Sequence, residues 1–217
     1  MYTLKQDLLK SGHRLRPGGN FLKLSLTIHS TGNTGSTAQN ERAWLDNASN
    51  TRDAAWHYVI GAGEVIQAIP DKEIAWHCGA AIGNRFSIGV EIVETGDRKT
   101  VLETAAEFTA DKLKEYGWNI TNIKKHYDWT KKNCPRILID KTYIRDGMDW
   151  SYFIGRVEYY LKGDDEVVEK SKIKVNGKYY DVDRILKDGT NYIKIRDLAQ
   201  AGFKISNEGN IAVLTTP

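Results

Sequence analysis

The sequence of 217 residues is 41% hydrophobic and 27% charged, an ordinary composition for a folded protein of one or two domains. Its formal net charge of +3 is too small to indicate a nucleic-acid-binding protein. No apolar run reaches the roughly 18 residues of a membrane span, and two cysteines are too few for the disulfide framework of a secreted scaffold.

The first half of the chain alternates predicted strands with a predicted helix. The segment KLSLTIHST (23–31) has the apolar pattern of a buried strand. The segment 36–48 begins with a Ser/Thr cap and continues with helical spacing. Two short β-type runs flank Gly61-Ala62-Gly63 within 56–70, which predicts a hairpin.

The next segments complete an α/β pattern. SIGVEIVE (87–94) is rich in β-branched residues and predicts a strand. Segment 99–117 places its apolar residues on one helical face and ends at Gly117. Segment 118–140 has no clean period and predicts an ordered loop, and 149–161 predicts a final amphipathic helix. We therefore expect a central mixed β-sheet flanked by helices over residues 1–162.

A second, smaller domain is expected at the carboxyl end. The acidic stretch within 163–171 predicts a linker. Asn176-Gly177 between apolar alternations predicts a tight hairpin. A strand, a short helix that stops at Gly202 and two further strands follow, so residues 172–217 are expected to form a small α+β domain.

Three residues form a candidate metal site. His29 lies at the end of a predicted buried strand, and His126 and Cys134 lie close together in the predicted loop. Two imidazoles and one thiolate are good zinc ligands, and three protein ligands leave a fourth position for water, as in catalytic sites. The alternative is that each of these residues is simply packed in the core.

Four segments together carry a family resemblance. The strings IHST, WHYVIGAGEVIQAIPDKEIAWHCG, SIGVEIVE and HYDWTKKNCP occur in this order over roughly residues 20–140. In order and spacing they resemble the type-2 N-acetylmuramoyl-L-alanine amidases, which include phage endolysins and are similar to peptidoglycan recognition proteins. The combination is far more specific than any single motif.

The resemblance implies a role for each matching residue. His29, His126 and Cys134 would bind zinc, Glu91 would be the catalytic glutamate of the IGVE strand, and Lys132 would be the catalytic lysine. Glu91 could then act as the general base, and Lys132 could stabilise the oxyanion. Without the resemblance, we would interpret Glu91 as a surface carboxylate at the end of a strand and Lys132 as a solvated charge.

Several neighbouring residues allow two interpretations. His57 and His77 either line a substrate cleft with Trp76 or are packed histidines that hydrogen-bond inside the sheet layer. Asn84, together with Arg85, is a candidate for holding the peptide. Cys78 is expected to be a buried neighbour of the site, and core packing is preferred for the remaining tryptophans, namely Trp44, Trp56, Trp118, Trp129 and Trp150.

The implied function is zinc-dependent hydrolysis of the bond between N-acetylmuramic acid and L-alanine in peptidoglycan. The alternative from another class is a non-catalytic peptidoglycan-recognition module, and such modules commonly lack the cysteine ligand that Cys134 supplies here. A third interpretation is an amidase that recycles freed muropeptides, and such an enzyme would have no use for the cell-wall-binding domain that we expect at residues 172–217. The amino-terminal residues lack the apolar core of a signal peptide, so we expect an endolysin held in the host cytoplasm until release.

The segment 172–216 resembles the small stalk-like module found at the amino terminus of copper amine oxidases. The resemblance rests on the strings VNG, DGT and RDLA. The segment contains no histidine or cysteine, so copper is not implied. We expect this domain to bind a bacterial cell-wall polymer, and the alternative is a stabilising appendage without a ligand.

Overall fold

A computed structural model describes residues 1–162, 168–187, 190–208 and 211–216. The chain divides into two compact units, Met1–Lys162 and Gly163–Pro217. None of the helices in the described residues is long and apolar enough to cross a bilayer.

The first unit contains a mixed sheet and its helices. In chain order the elements are β1 (Thr3–Gln6), β2 (Ser25–Ser30), α1 (Ala38–Asp46), β3 (Tyr58–Gly61), β4 (Glu64–Gln67), α2 (Ala81–Phe86), β5 (Ser87–Ile92), α3 (Arg98–Tyr116), β6 (Ile123–Lys125), α4 (His126–Thr130), α5 (Arg136–Ile139) and α6 (Trp150–Lys162). The strand order is β1-β4-β3-β5-β2-β6. Only β3 and β4 pair antiparallel, and the other neighbours pair parallel, which confirms the predicted mixed α/β fold.

The neighbouring strands β2 and β5 each have one apolar and one polar face. Successive side chains of a strand point to opposite faces, and parallel pairing places His29 opposite Glu91. The apolar face carries Leu26, Ile28, Ile88, Val90 and Ile92, all buried. Each such burial stabilises the fold by about 1.5–3 kcal/mol. The opposite face carries small and polar residues instead, namely Ser25, Thr27, His29, Ser87, Gly89 and Glu91.

Helix α3 covers the apolar face. Its Phe108 ring lies 4.7 Å from the ring of Tyr58 on β3, measured between centroids. Asp97 caps the helix by accepting a hydrogen bond from the Thr100 amide at 2.8 Å. Gly117 ends it with a φ of 66°, a backbone conformation that glycine adopts without strain. The predicted helix at 99–117 is therefore confirmed.

The predicted loop at 118–140 is wrong in part. It contains a 3-10 helix at Ile120–Asn122, strand β6 and helices α4 and α5. None of these elements exceeds five residues, so none can show a hydrophobic period. Pairing of β6 with β2, rather than a local pattern, decides this segment. The edge strand β1 and the short helix α2 were not predicted for the same reason.

The second unit is formed mainly by strands. A three-stranded antiparallel sheet contains β7 (Val168–Val175), β8 (Lys178–Lys187) and β9 (Thr190–Ile193), and β10 (Lys204–Glu208) pairs with β11 (Ile211–Thr215). Asn176 and Gly177 have φ angles of 48° and 82°, as a tight hairpin turn requires, which confirms that prediction. The predicted short helix is a 3-10 helix, Ile195–Ala201, that ends at Gly202.

The predicted linker needs a correction. Its residues 163–167 lie outside the described residues, as do positions 188–189 of the DGT string and positions 209–210 between the last two predicted strands. Residues 168–171 belong to β7 rather than to a linker. The acidic residues suggested a linker, but backbone pairing with β8 is compatible with charged side chains on an exposed face.

An ion pair between the buried Glu94 and the partly exposed Arg136 joins three segments around the polar face. Arg136, at the start of α5, contacts the Glu94 carboxylate with Nε at 2.9 Å and Nη2 at 2.6 Å. The Gly32 amide, in the loop after β2, donates to the same carboxylate at 3.0 Å. Burial favours a higher pKa for Glu94, but the hydrogen bonds from Arg136 outweigh it and hold the pKa below its ordinary value.

We predict that Glu94→Ala lowers the free energy of unfolding by about 2–4 kcal/mol at pH 7, because Arg136 and the Gly32 amide lose their partner. Urea unfolding followed by circular dichroism measures this. The pKa of Glu94 is lower in the folded state than in the unfolded state. Ionised Glu94 therefore stabilises the fold above the unfolded-state pKa, and this stabilisation is lost as the pH falls. The difference between wild type and variant should therefore shrink below about pH 4.5.

The matched control is Asp53→Ala, which removes the exposed ion pair with Arg14. That variant should change the free energy of unfolding by less than about 1 kcal/mol, since exposed pairs contribute little. Equal decreases in the free energy of unfolding for the two variants would contradict the conclusion that the Glu94 carboxylate holds these segments together.

Candidate metal centre

Three parallel strands deliver side chains to one edge of the sheet. His29 and Glu91 are direct partners near the carboxyl ends of β2 and β5. Strand β6 pairs with β2 on its other side, and His126 follows β6 immediately as the first residue of α4. The carboxyl ends of parallel strands are the usual place for ligands in open α/β sheets.

Cys134 reaches the same place by a reversal of the chain after α4. The helix ends at Lys131, which has a φ of 62°. The Tyr127 amide then donates a hydrogen bond to the Cys134 carbonyl at 2.9 Å. This bond holds Cys134 beside the turn of helix that begins with His126, although the two residues are eight positions apart in the sequence.

The three residues that the sequence singles out converge. Nδ1 of His29 lies 2.9 Å from Nδ1 of His126 and 3.7 Å from Sγ of Cys134. One potential ligand atom from each residue lies within 4.8 Å of the other two, and all three residues are buried.

The electrostatics of this group suit a bound cation. Burial lowers the pKa of His29 well below its ordinary value, and burial and the charge of Lys132 lower that of His126 to about 4. Both rings are therefore neutral near pH 7. Burial and the charge of Glu91 raise the pKa of the Cys134 thiol to about 12. A divalent cation reverses that preference because it stabilises the thiolate. The donors fit a divalent metal ion.

Glu91 and Lys132 face the same cleft. Oε2 of Glu91 is buried without a hydrogen-bond partner in the protein. Burial, and then the charge of Glu41, raise the pKa of Glu91 to about 8, although Lys132 acts in the opposite direction. Lys132 is exposed and lines the cleft two residues before Cys134.

The cleft has a volume of about 660 Å³ and extends away from the three donors. Trp76 lines it, as predicted, and the segment from α1 to residue 56 supplies another wall that the sequence analysis missed. Trp44 is 38% exposed on that wall, so core packing is the wrong interpretation for this residue. Trp56 is buried, which agrees with core packing. The residue type alone gives no signal that separates these outcomes.

His57 does not line the cleft, which corrects its assignment to substrate binding. Its Nδ1 accepts a hydrogen bond from the Gly89 amide at 2.8 Å, and its Nε2 lies 3.0 Å from the Glu73 carbonyl. Both ring nitrogens are thus used inside a fully buried environment. His57 is the packed histidine of the two interpretations.

His77 and Asn84 make hydrogen bonds within the protein. Asn84 is absent from the cleft lining, and its Oδ1 accepts hydrogen bonds from the amides of His77 and Cys78 at 3.0 Å. Asn84 Oδ1 therefore shapes the loop before α2. His77 does line the cleft, but its ring nitrogens lie 2.9 Å from His29 Nε2 and 3.3 Å from the Ser87 carbonyl. Cys78 is buried, as expected.

Comparisons with known proteins point to one family. The family model described as N-acetylmuramoyl-L-alanine amidase matches residues 24–137. N-acetylmuramoyl-L-alanine amidase CwlA of Bacillus subtilis (strain 168) is 41% identical over 128 residues, which cover 55% of this chain and 46% of that protein. The chain spans about half the length of the curated relatives it matches.

Solved structures agree with this match. The catalytic domain of XlyA has a TM-score of 0.63 and 30% identity, covering 71% of this chain and 99% of that one. A mutant endolysin from Bacillus subtilis has a TM-score of 0.65 and 29% identity, covering 72% and 99%. The family match spans more than half of the sequence and includes the converging His29, His126 and Cys134, and the chain belongs to the N-acetylmuramoyl-L-alanine amidase family.

Proposed function

We propose that this chain hydrolyses the amide bond between N-acetylmuramic acid and L-alanine in peptidoglycan, with zinc held by His29, His126 and Cys134. The observation that carries the proposal is the convergence of two imidazole nitrogens and one thiol beside Glu91 in an open cleft. Family membership supports the choice of substrate, since relatives such as CwlA are named for this activity.

Zinc is the metal that this donor set favours, because nitrogen and sulfur ligands suit it and three protein ligands leave a position open. Two neutral imidazoles and one thiolate leave the site with a net charge near +1. When bound, zinc would lower the pKa of a water molecule and polarise the carbonyl of the scissile amide.

Glu91 is the residue that we assign to proton transfer. Hydrolysis of an amide needs a base that takes a proton from water and an acid that gives one to the departing amine. The buried Oε2 of Glu91 has no competing partner, and a pKa near 8 lets the carboxyl group hold or release a proton near neutral pH. One residue can therefore serve both steps.

Lys132 is the residue that we assign to charge stabilisation. Negative charge develops on the amide oxygen as the carbonyl carbon becomes tetrahedral, and a fixed positive charge nearby lowers the energy of that state. Lys132 lines the cleft, and its charge acts on both His126 and Glu91. Trp76, on the same cleft, is the predicted substrate-binding residue that keeps this role in the proposal.

We further propose the biological role of a phage endolysin that lyses the bacterial host from the host cytoplasm once released. The similarity to a mutant endolysin of Bacillus subtilis supports this role. A non-catalytic recognition module is the alternative function, and the products of wall digestion separate the two.

The second unit is proposed to bind a cell-wall polymer. Tyr179 is 67% and Tyr192 52% exposed, and the strand register places both on one face of the three-stranded sheet. Exposed tyrosine rings suit sugar-containing polymers.

The fraction of the full chain that sediments with purified walls should fall when both tyrosines are replaced by alanine. Unchanged sedimentation would exclude this face. The resemblance to the stalk-like module stays a prediction.

Mass analysis of digested cell walls tests the proposed activity. Amidase action should produce free L-alanine amino termini and intact glycan strands, because the cleaved bond lies between sugar and peptide. New reducing sugar ends would indicate a glycosidase instead. Undigested walls that nevertheless retain the protein would indicate the recognition module.

We predict that Glu91→Gln lowers the rate of wall digestion by about 10²-fold or more, the usual range for loss of a general base. Metal content should be unchanged, because Glu91 is not among the three donors. The matched control is Glu64→Gln, which alters a carboxylate of the same sheet outside the cleft. Digestion by Glu91→Gln at the wild-type rate would remove Glu91 from the mechanism.

A further inference from the structure

A third histidine, His77, contacts one of the candidate metal donors without being a donor itself. Nδ1 of His77 lies 2.9 Å from Nε2 of His29, the ring nitrogen that faces away from His126 and Cys134. On the other side of the His77 ring, Nε2 lies 3.3 Å from the backbone carbonyl of Ser87. The two histidines and the carbonyl therefore form a continuous hydrogen-bonded chain.

The Ser87 carbonyl fixes which group donates and which accepts in both of these hydrogen bonds. A carbonyl oxygen can only accept, so His77 donates from Nε2 to Ser87. A neutral imidazole carries one proton, so Nδ1 of His77 has a free lone pair and accepts from Nε2 of His29. His29 then keeps a lone pair on Nδ1, the atom that lies 2.9 Å from His126 Nδ1 and 3.7 Å from Cys134 Sγ.

The protein holds the His77 ring in place from two sides. Asn84 Oδ1 accepts a hydrogen bond from the His77 amide at 3.0 Å and so fixes the backbone. Gly89 leaves the space that the ring occupies, since a Cβ atom at residue 89 would lie 2.5 Å from His77 Cγ. The ring position is therefore a built feature of β5 and the loop before α2.

We propose that His77 is a positioning residue for the metal centre: the Ser87 carbonyl sets the tautomer of His77, and His77 sets the tautomer of His29, so that His29 presents Nδ1 to the metal. A partner that holds the outer nitrogen of a ligating histidine commonly contributes 10–100-fold, as an order of magnitude, to metal affinity. The proposal rests on the proposed metal site but not on the proposed amide hydrolysis.

The first test is a nitrogen-15 spectrum of the metal-free wild-type chain, in which long-range couplings distinguish the protonated from the unprotonated ring nitrogen. His29 and His77 should both carry their proton on Nε2 near pH 7. A His29 ring that carries it on Nδ1 would overturn the proposal, whatever the protein does to peptidoglycan.

The second test is zinc affinity, measured by competition with a chelator of known affinity and without substrate. His77→Leu, which cannot accept a hydrogen bond, should bind zinc about 10–100-fold more weakly. His77→Asn should retain most of the affinity, since its Oδ1 can accept from His29 in place of Nδ1. His13→Leu, a histidine outside the cleft, is the control and should bind zinc like wild type.

Wild-type affinity in His77→Leu would overturn the proposal, as would equal losses in the Leu and Asn variants. If His77→Leu does not fold, as thermal unfolding would reveal, the wild-type spectrum and His77→Asn decide. Weak zinc binding by wild type itself would contradict the proposed metal site, an outcome distinct from a failure of His77 alone.

Discussion

The register of strand β2 against its parallel neighbours is the constraint on which the rest of this molecule depends. It places His29 opposite Glu91 on one side and leads into His126 on the other. Because side chains alternate between the two faces, a slip of one residue would turn His29 into the apolar layer beneath α3. The same alternation that buries Leu26 and Ile28 therefore presents His29 to the cleft.

The polar face concentrates groups that do not stabilise a fold by themselves. The buried carboxyl oxygen of Glu91 has no hydrogen-bond partner in the protein, which carries an energetic cost of about 1–3 kcal/mol. The apolar layer and the Glu94–Arg136 pair offset this cost. A metal ion that bound only the folded chain would stabilise it further, so folding and metal binding would be coupled.

Sequence patterns predicted the elements whose stability is local or whose apolar period is long. Helix α3 has a cap, an apolar face and a terminal glycine, and the turn at Asn176-Gly177 needs two residues that tolerate positive φ. Elements that form only through tertiary pairing, such as β6, are too short to show a hydrophobic period in the sequence. The apolar run around His29 predicted a strand, but its partner and register come from the three-dimensional fold.

The candidate site, too, could be predicted from the sequence only in part. Residue types and order singled out His29, His126 and Cys134, yet their convergence depends on the chain reversal that the Tyr127 amide closes on the Cys134 carbonyl. Two histidines had different outcomes: His57 is packed away from the cleft, whereas His77 lies in the cleft against His29. Only the positions of carbonyls and amides around each ring distinguish them, and a sequence does not contain those positions.

The most direct test of the account compares metal content and wall lysis in the same preparation of the full chain. The account predicts one zinc ion per chain, loss of lysis when a chelator removes it, and recovery of lysis when zinc is added back. Undiminished lysis by the metal-free chain would contradict it.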